Sequence, residues 1–504
     1  MSMPAEHLHS TPNLADLLQG FADAPSILLA GLSSDSRSLK PGDLFLACGG
    51  ANSHGLDFVA DAVTANVAAI AWDSDTADSP STEVGVPMIA VPGLASHLGE
   101  IANRFYGRPS DAIRVCGVTG TNGKTTVAWL VGQCCERLGQ ACGYIGTLGT
   151  GIGEIEGGEG MTTPGAVDMH RHLAGFRDAG AAFAAVEVSS HALSQNRVDG
   201  VAFDTVMFTN LSRDHLDYHG DMRSYGEAKA KLFFDYRARS RIVNLDTEFG
   251  SELAGRCGHD VVTVSTRFDR VANGRPYVFV RSVVSRKEGS LVGVASSWGG
   301  GEFELPLPGD FNVANAVLVL AALLSNGVDM YDACEVLGSV TAPPGRMQRV
   351  DNKGAGPAVY VDYAHTPAAI EGALGALRQH CKGKLWCVFG CGGERDPGKR
   401  PKMGRVAERR ADRVVITSDN PRSEAPGAII EDIVAGLEHP DRAMVLDDRA
   451  AAIAWAISAA SNDDVVLIAG KGHEGYQLLA DCRIDFSDYG VAHASLLAGV
   501  EGSA

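Results

Sequence analysis

The run Gly117-Val118-Thr119-Gly120-Thr121-Asn122-Gly123-Lys124-Thr125-Thr126 has the makings of a phosphate cradle. Glycines let backbone N–H groups close around an anion, and a helix starting at the lysine adds its positive N-terminal end. Lys124 would reach the β- and γ-phosphates of a nucleotide, and the Thr125 hydroxyl would ligate Mg²⁺. A strict G-x-x-x-x-G-K-[ST] spacing would need glycine where Val118 stands. The competing reading is therefore a glycine-rich turn that binds no nucleotide, but an apolar strand before the loop and a helix after it favour phosphate. Glu187 closes a second apolar strand, Phe183–Val188. Ligands gather at such strand ends in open α/β sheets, and a carboxylate oxygen suits Mg²⁺.

These groups need a scaffold. Short apolar runs alternate with helical segments through most of the 504 residues, which predicts an α/β protein with mostly parallel sheets. Asp43–Ala47 and Val67–Trp72 read as strands of a small α/β domain, with a helical stretch from Gly55 to Asn66 between them. That domain ends near Tyr106-Gly107-Arg108-Pro109. A central set of strands is expected at Ile113–Val118, Phe183–Val188, Val206–Thr209 and Arg241–Leu245, followed by an antiparallel excursion over 260–305 and a helix at Val313–Leu324. Thr341-Ala342-Pro343-Pro344-Gly345 reads as a second linker. Beyond it, strands at Ala358–Tyr363, Leu385–Phe389, Arg413–Thr417 and Asp464–Ala469 predict a Rossmann-like sheet. The expected domains are thus 1–107, 108–343 and 344–504.

The phosphate loop, T-G-T-N-G-K-T, resembles that of the Mur ligase family, and six further blocks follow in family order. They are Asp35-Ser36-Arg37 with Pro41–Phe45, Glu187–His191, Thr209–Gly220, Gly309–Asn315, Asp362–Pro367 and Asp419-Asn420-Pro421-Arg422. The resemblance spans nearly the whole chain. It implies an ATP-dependent amide ligase of peptidoglycan synthesis that works through an acyl phosphate. The first domain would bind UDP, the central one ATP in P-loop ATPase fashion, and the last the amino acid. ATP groups from two domains would make closure part of the cycle.

The resemblance also implies roles residue by residue. Gly120, Thr121, Asn122, Gly123, Lys124, Thr125 and Thr126 would hold the ATP phosphates. Asn312 and Asn315 would lie on the adenine side, and Arg346, Asp362 and His365 would also contact the nucleotide. Two Mg²⁺ ions are expected, on Thr125, Glu187, His215 and a carbamylated Lys229, with Lys231 a competitor two residues on. Carbamylation turns a cation into an anion that can face a metal. Ser34, Ser36 and the loop Ala51-Asn52-Ser53 would contact uridine and its diphosphate. Thr162, Thr163, Ser189, Gln195 and Arg197 would grip the muramoyl-dipeptide. Met161 stands where the family usually has asparagine, so that contact is expected to be lost or made by backbone.

The D-N-P-R run is the family's diaminopimelate signature. It implies meso-diaminopimelate as the incoming amino acid and UDP-MurNAc-L-Ala-D-Glu as its acceptor. A ligand with a second ammonium and carboxylate must have both paired, because an unpaired buried charge is expensive. Arg422 offers a planar fork for the carboxylate, and Asp419 and Asn420 can take the ammonium. Pro421 completes the run, and Arg395, Gly470 and Glu474 resemble the remaining contacts. Alternatives are the lysine-adding sibling, a folylpolyglutamate synthetase-like ligase, and a nucleotide-binding scaffold that has lost catalysis.

Bulk properties narrow the field. A net charge of −18 with no Lys/Arg-rich arm argues against nucleic acid. No run of about 18 apolar residues occurs, so no membrane insertion is expected. Eleven scattered cysteines without a CxxC pair imply neither a disulfide framework nor a zinc site, and a reducing cytoplasm fits them. The expected state is a monomer.

Overall fold

A computed structural model describes residues 12–50, 53–78, 85–157, 160–267, 274–286, 289–352, 356–480 and 482–501. The chain divides into two compact units. One comprises residues 1–124, 135–243 and 247–261; the other comprises 125–134, 244–246 and 262–504.

The first unit opens with a four-stranded parallel sheet, β1 (Gly31–Ser33), β2 (Asp43–Ala47), β3 (Ala69–Asp73) and β4 (Met88–Val91), paired in that order. Strands β2 and β3 are buried along their whole length, as expected where both faces of a parallel sheet are covered. The helix Leu94–Phe105 buries Leu94, Ile101 and Ala102 in the core under this sheet. Each large apolar side chain so buried contributes about 1.5–3 kcal/mol.

The phosphate-loop sheet follows. Its strands are β5 (Arg114–Thr119), β6 (Cys142–Gly146), β7 (Gly149–Ile152), β8 (Glu154–Glu156), β9 (Phe183–Glu187), β10 (Phe203–Phe208) and β11 (Ala238–Asn244), in spatial order β11-β10-β5-β9-β6-β7-β8. The strands from β11 to β6 are parallel, and β7 and β8 fold back as antiparallel ribbons. The consequence for function is direct: the carboxyl ends of β5, β6, β9 and β10 share one edge, where open sheets bind ligands.

In the second unit, β12 (Val262–Ser265) pairs in parallel with β13 (Tyr277–Arg286). Strands β13, β14 (Gly289–Ser296) and β15 (Gly299–Leu305) form the expected antiparallel excursion. The helix Asp310–Ser325 buries an almost continuous apolar run from Val313 to Leu324. A six-stranded sheet then runs in the order β16 (Gln348–Arg349), β17 (Ala358–Asp362), β21 (Val465–Ala469), β18 (Leu385–Phe389), β19 (Arg413–Ile416), β20 (Met444–Val445). It is parallel apart from β16. Its strands alternate between two cores. Leu385, Cys387 and Phe389 pack on one side, and Trp386 and Val388 on the other. This is the Rossmann-like arrangement the sequence predicts. The short β20 and the hairpin β22 (Tyr476–Leu479) with β23 (Cys482–Asp485) are not anticipated by it. Among the described residues, no helix is long and apolar enough to cross a membrane.

Candidate active site

The phosphate loop leaves β5 at Thr119 and enters the helix Lys124–Arg137. Gly120 sits at φ 149°, and a Cβ built on it would lie 1.9 Å from the Thr209 hydroxyl oxygen, so only glycine fits. The segment after β10 clamps the loop. Thr209 Oγ1 donates to the Asn122 carbonyl at 2.6 Å, Asn210 Nδ2 donates to the same oxygen at 3.1 Å, and the Thr121 N–H donates to the Asn210 carbonyl at 2.8 Å. Lys124 Nζ folds back onto the carbonyls of Gly120 and Thr121, both at 3.0 Å. Thr125 and Thr126, in the first turn of the helix, are buried.

Glu187 closes β9 and is fully buried. Its carboxylate accepts from the Tyr144 hydroxyl at 2.5 Å, the Thr147 N–H at 2.9 Å and the Thr147 hydroxyl at 3.1 Å. Gly146 makes room for this, since a Cβ there would lie 2.3 Å from Glu187 Oε1. Around the acid lie the residues expected to hold a dipeptide. Thr147 and Thr162 share a hydroxyl contact at 3.1 Å, and Thr163 Oγ1 donates to the Glu187 carbonyl at 2.8 Å. The Ser189 N–H donates to Thr163 Oγ1 at 3.0 Å. Arg197 donates to the Thr163 carbonyl at 3.1 Å and to Gln195 Oε1, and Gln195 Nε2 donates to the Tyr218 hydroxyl at 3.1 Å. Met161 is exposed.

Lys229 is 1% exposed, and its Nζ donates to the Gly120 carbonyl at 2.8 Å. Burial, with the Lys124 ammonium nearby, holds it well below the ordinary lysine range against the pull of Asp214. Lys231 instead lines a separate cavity of about 580 Å³ with Glu100, Asn103, Arg108, Asp199 and Tyr236. His215 takes a left-handed backbone at φ 51° and is half exposed, with Nε2 3.4 Å from Asp214 Oδ2. Its ring stands edge-on to that of His191, centroids 4.9 Å apart. Burial, then the neighbouring His215 and His219, lower the pKa of His191.

In the first sheet, Ser34 is exposed after β1, and Ser36 begins a short turn capped by Asp35. Asp35 also pairs with Arg37 at 2.7 Å. Ser53 is exposed, and its carbonyl accepts from the Gly50 N–H at 2.8 Å. Ala51 and Asn52 lie outside the described residues.

The second unit gathers its candidates at the carboxyl ends of β17, β18, β19 and β21. Asp362 ends β17 and accepts from the N–H groups of Met347 at 2.7 Å and Ala364 at 2.9 Å. Burial raises its pKa, and Arg346 opposes the shift. The Arg346 guanidinium lies 4.5 Å from the centre of the Tyr363 ring, and its buried Nε meets no acceptor. His365 Nδ1 faces the Tyr363 carbonyl at 2.8 Å. Asn312 and Asn315 are buried in the helix Asp310–Ser325, Asn312 donating to the Pro308 carbonyl at 2.8 Å.

After β19, Asp419 Oδ2 lies 4.0 Å from the fully buried Arg449, which makes two 2.7 Å bonds to Asp488. Pro421 is buried and its carbonyl accepts from the Glu424 N–H at 3.1 Å. Arg422, at φ 53°, donates to the Gly393 carbonyl at 2.8 Å. Gly470 abuts Asp419, and Glu474 bonds Asn420 at 2.8 Å; Arg395 is exposed on the loop after β18. The Asn420 amide is committed on both sides, because its oxygen accepts from Lys471 and Leu478. The expectation that it takes a ligand ammonium therefore does not fit its bonding here.

Profiles of this architecture match along the chain: "Mur ligase family, catalytic domain" over residues 29–106, "Mur ligase middle domain" over 118–323, and "Mur ligase, glutamate ligase domain" over 345–472. The chain belongs to the Mur ligase family. Relatives of this Mur ligase include the UDP-N-acetylmuramoyl-L-alanyl-D-glutamate--2,6-diaminopimelate ligase of Pseudomonas aeruginosa. It is 46% identical over 475 residues, covering 94% of this chain and 96% of the relative. The protein of that name from Xanthomonas campestris is 46% identical over 487 residues, covering 96% and 97%. A solved structure of a ligase with the same name superposes with a TM-score of 0.71 at 32% identity, covering 97% of this chain and 99% of that one. Folylpolyglutamate synthase from Mycobacterium tuberculosis shares the fold, with a TM-score of 0.60 at 20% identity over 80% of this chain.

Several residues of this Mur ligase's site escape sequence reading. Tyr144 and Thr147 touch Glu187 from β6 and the turn after it, 43 and 40 residues away. Lys471 carries one usable signal, a lone lysine between glycines just past an apolar strand.

Proposed function

We propose that this Mur ligase forms an amide between meso-diaminopimelate and the D-glutamate carboxylate of UDP-MurNAc-L-Ala-D-Glu, with hydrolysis of ATP to ADP and phosphate. The observation that carries the reading is 46% identity over 94% of the chain to a relative of that name. The bonding around Glu187 and in the loop after β19 supports it.

The chemistry follows from what each group can do. A carboxylate oxygen attacks the γ-phosphorus, the bond to the ADP oxygen breaks, and an acyl phosphate results. The amine of the amino acid then attacks the acyl carbon, loses its proton, and phosphate leaves. Phosphoryl transfer needs alignment and positive charge rather than a protein nucleophile. The N–H groups of the loop 120–126 and the Lys124 ammonium serve that need. Thr162, Thr163, Ser189, Gln195 and Arg197 hold the dipeptide end, and Ser34, Ser36, Ala51, Asn52 and Ser53 the uridine diphosphate. Asn312, Asn315, Arg346, Asp362 and His365 serve the nucleoside. Arg346 offers a buried, unpartnered N–H for that purpose.

Mg²⁺ would be held by Thr125, Glu187, His215 and the carbamate of Lys229, and when bound would neutralise charge between the phosphates. Among the described residues, no group of three or more His, Cys, Asp or Glu can hold a metal by itself. Mg²⁺ keeps waters and phosphate oxygens, and the Glu187 carboxylate and Thr125 hydroxyl are hard oxygen donors of the kind it takes. The carbamate forms when the neutral Lys229 amine adds to CO₂ and releases a proton. A depressed pKa supplies the neutral amine. Arg422, Arg395, Asp419, Gly470 and Glu474 receive the diaminopimelate. In this reading the enzyme works as a monomer in the cytoplasm.

The test is phosphate release with ATP, Mg²⁺ and UDP-MurNAc-L-Ala-D-Glu, comparing meso-diaminopimelate with L-lysine. Turnover confined to diaminopimelate is expected. Preference for lysine would assign the sibling activity instead, and turnover with neither would sink the proposed ligase reaction.

A further inference from the structure

The loop after β21 reads Gly470-Lys471-Gly472-His473-Glu474. Both glycines are required. Gly470 has φ 120° and a Cβ there would lie 2.5 Å from Asp419 Oδ2; Gly472 has φ 56° and its Cβ would lie 2.8 Å from the Gly345 carbonyl. This backbone brings Lys471 inward until its side chain is 0% exposed. A buried ammonium is tolerated only when paired and hydrogen-bonded. Lys471 Nζ donates to Asn420 Oδ1 at 2.9 Å and to Glu474 Oε2 at 3.1 Å. Asn420 Nδ2 closes a ring by donating to the same Glu474 oxygen at 2.8 Å.

The ring fixes more than its three members. The ammonium can only donate, so it pins the Asn420 amide with its oxygen toward Lys471 and its nitrogen toward Glu474. In that orientation Asn420 Oδ1 also accepts from the Leu478 N–H at 3.0 Å, while the Leu478 carbonyl accepts from the Arg422 N–H at 3.2 Å. Lys471 thereby sets both the Glu474 carboxylate and the backbone of Arg422. Both ring bonds to Glu474 fall on Oε2, which leaves Oε1 turned outside the ring.

We propose that Lys471 is a positioning residue for the incoming amino acid: through the Lys471–Asn420–Glu474 ring it holds Glu474 Oε1 ready to accept the ligand's ammonium and keeps Arg422 in register for its carboxylate. The inference rests on the function proposed above. It predicts that the zwitterionic substrate, and not ATP or the UDP-substrate, feels the loss of Lys471.

The experiment is steady-state kinetics of the full chain with Lys471→Met, Glu474→Gln and the double variant, alongside wild type. Lys471→Met should raise KM for diaminopimelate about 10- to 100-fold, the scale of charge-assisted hydrogen bonds, with kcat and the KM values for ATP and the UDP-substrate changed by less than about threefold. Because Lys471 acts in part through Glu474, the double variant should lose clearly less than the product of the two single losses. Multiplying losses in the double variant, equal losses for all three substrates, or an unchanged KM for diaminopimelate would each overturn the inference. ADP binding and thermal melting report folding. Should Lys471→Met fail to fold, Lys471→Gln keeps an N–H toward Asn420 without the charge and should show an intermediate KM; a wild-type KM would overturn the inference. Wild-type enzyme that does not turn over diaminopimelate would overturn the proposed function and this inference together. Active wild type with an unaffected variant would overturn the inference alone.

Discussion

Gly120→Ala tests whether the phosphate loop works as its geometry implies. The backbone at Gly120 has φ 149°, a region closed to residues with a Cβ at a cost of about 1–3 kcal/mol. The added methyl would also sit 1.9 Å from Thr209 Oγ1 and 3.0 Å from the Asn210 nitrogen. Thr209 would have to rotate, giving up its 2.6 Å bond to the Asn122 carbonyl, worth about 1 kcal/mol. The sum is about 2–4 kcal/mol, which the loop sheds by turning its N–H groups off the phosphate path. At about 1.4 kcal/mol per decade, ATP affinity should fall about 30- to 1000-fold. Titration calorimetry with a non-hydrolysable ATP analogue and Mg²⁺ measures this directly. Gly120→Ala combined with Thr209→Ala removes the collision but not the backbone strain, so it should recover only part of the loss. Affinity of the single variant within about threefold of wild type would refute the argument, because neither the strain nor the collision would then be real.

Four further outcomes are expected. Tyr144→Phe deletes the 2.5 Å bond to Glu187, and losing a hydrogen bond to a buried charge should lower kcat about 10- to 100-fold while the fold survives in circular dichroism. With ¹³C-bicarbonate, wild type should show a carbamate carbon signal that Lys229→Arg lacks. The signal should fade as pH drops through the depressed Lys229 pKa, because only the neutral amine adds CO₂; a signal that persists unchanged into acid would contradict this. The same depression means that the unfolded chain holds the Lys229 proton between the folded pKa and the ordinary lysine value, so in the uncarbamylated protein stability rises with pH across that window, a slope Lys229→Met should abolish in urea titrations. Asp488→Asn removes the carboxylate that pairs with the wholly buried Arg449, leaving it only the more distant Asp419 and two carbonyls, and should cost about 3 kcal/mol or more by urea unfolding.

The fold was largely legible because parallel strands buried on both faces announce themselves as unbroken apolar runs. Phe183–Glu187, Leu385–Phe389 and Val465–Ala469 all fall where those runs predict. Much of what escaped detection was short or lay at an edge, although the buried interior strand Cys142–Gly146, with two glycines among its five residues, was also not anticipated. Met444–Val445 is two residues long, and the Cys482–Asp485 strand is exposed throughout, so neither carries a burial period. The site divides along the same line. Residues in motifs with their own backbone chemistry, such as Gly120 and Lys124, could be singled out from local spacing. Thr163, Ser189 and Arg197 came from a resemblance, and the structure gathers them beside Glu187.

The residues missed share a physical cause. Tyr144 and Thr147 touch a partner 43 and 40 positions away across the neighbouring strand ends of β6 and β9, and Lys471 touches Asn420, 51 positions away and two strands over, besides Glu474 in its own loop. Spacing along the chain says nothing about which strands are neighbours; that depends on the order β5-β9-β6 and β17-β21-β18. Once that order is known, the roles follow from chemistry. Tyr144 rises on β6 beside β9 and therefore meets the acid that ends β9. Lys471 leaves β21 between β17 and β18, and Asn420 follows β19, two strands over beyond β18. A buried lysine at such a strand end must find acceptors there, and the ones present are the Asn420 amide and the Glu474 carboxylate, both in the proposed amino-acid site. Asn420 illustrates the same point from the other side. Its identity invites a ligand contact, and its bonding to Lys471, Glu474 and Leu478 makes it, in the role proposed above, a brace between Glu474 and the backbone that carries Arg422.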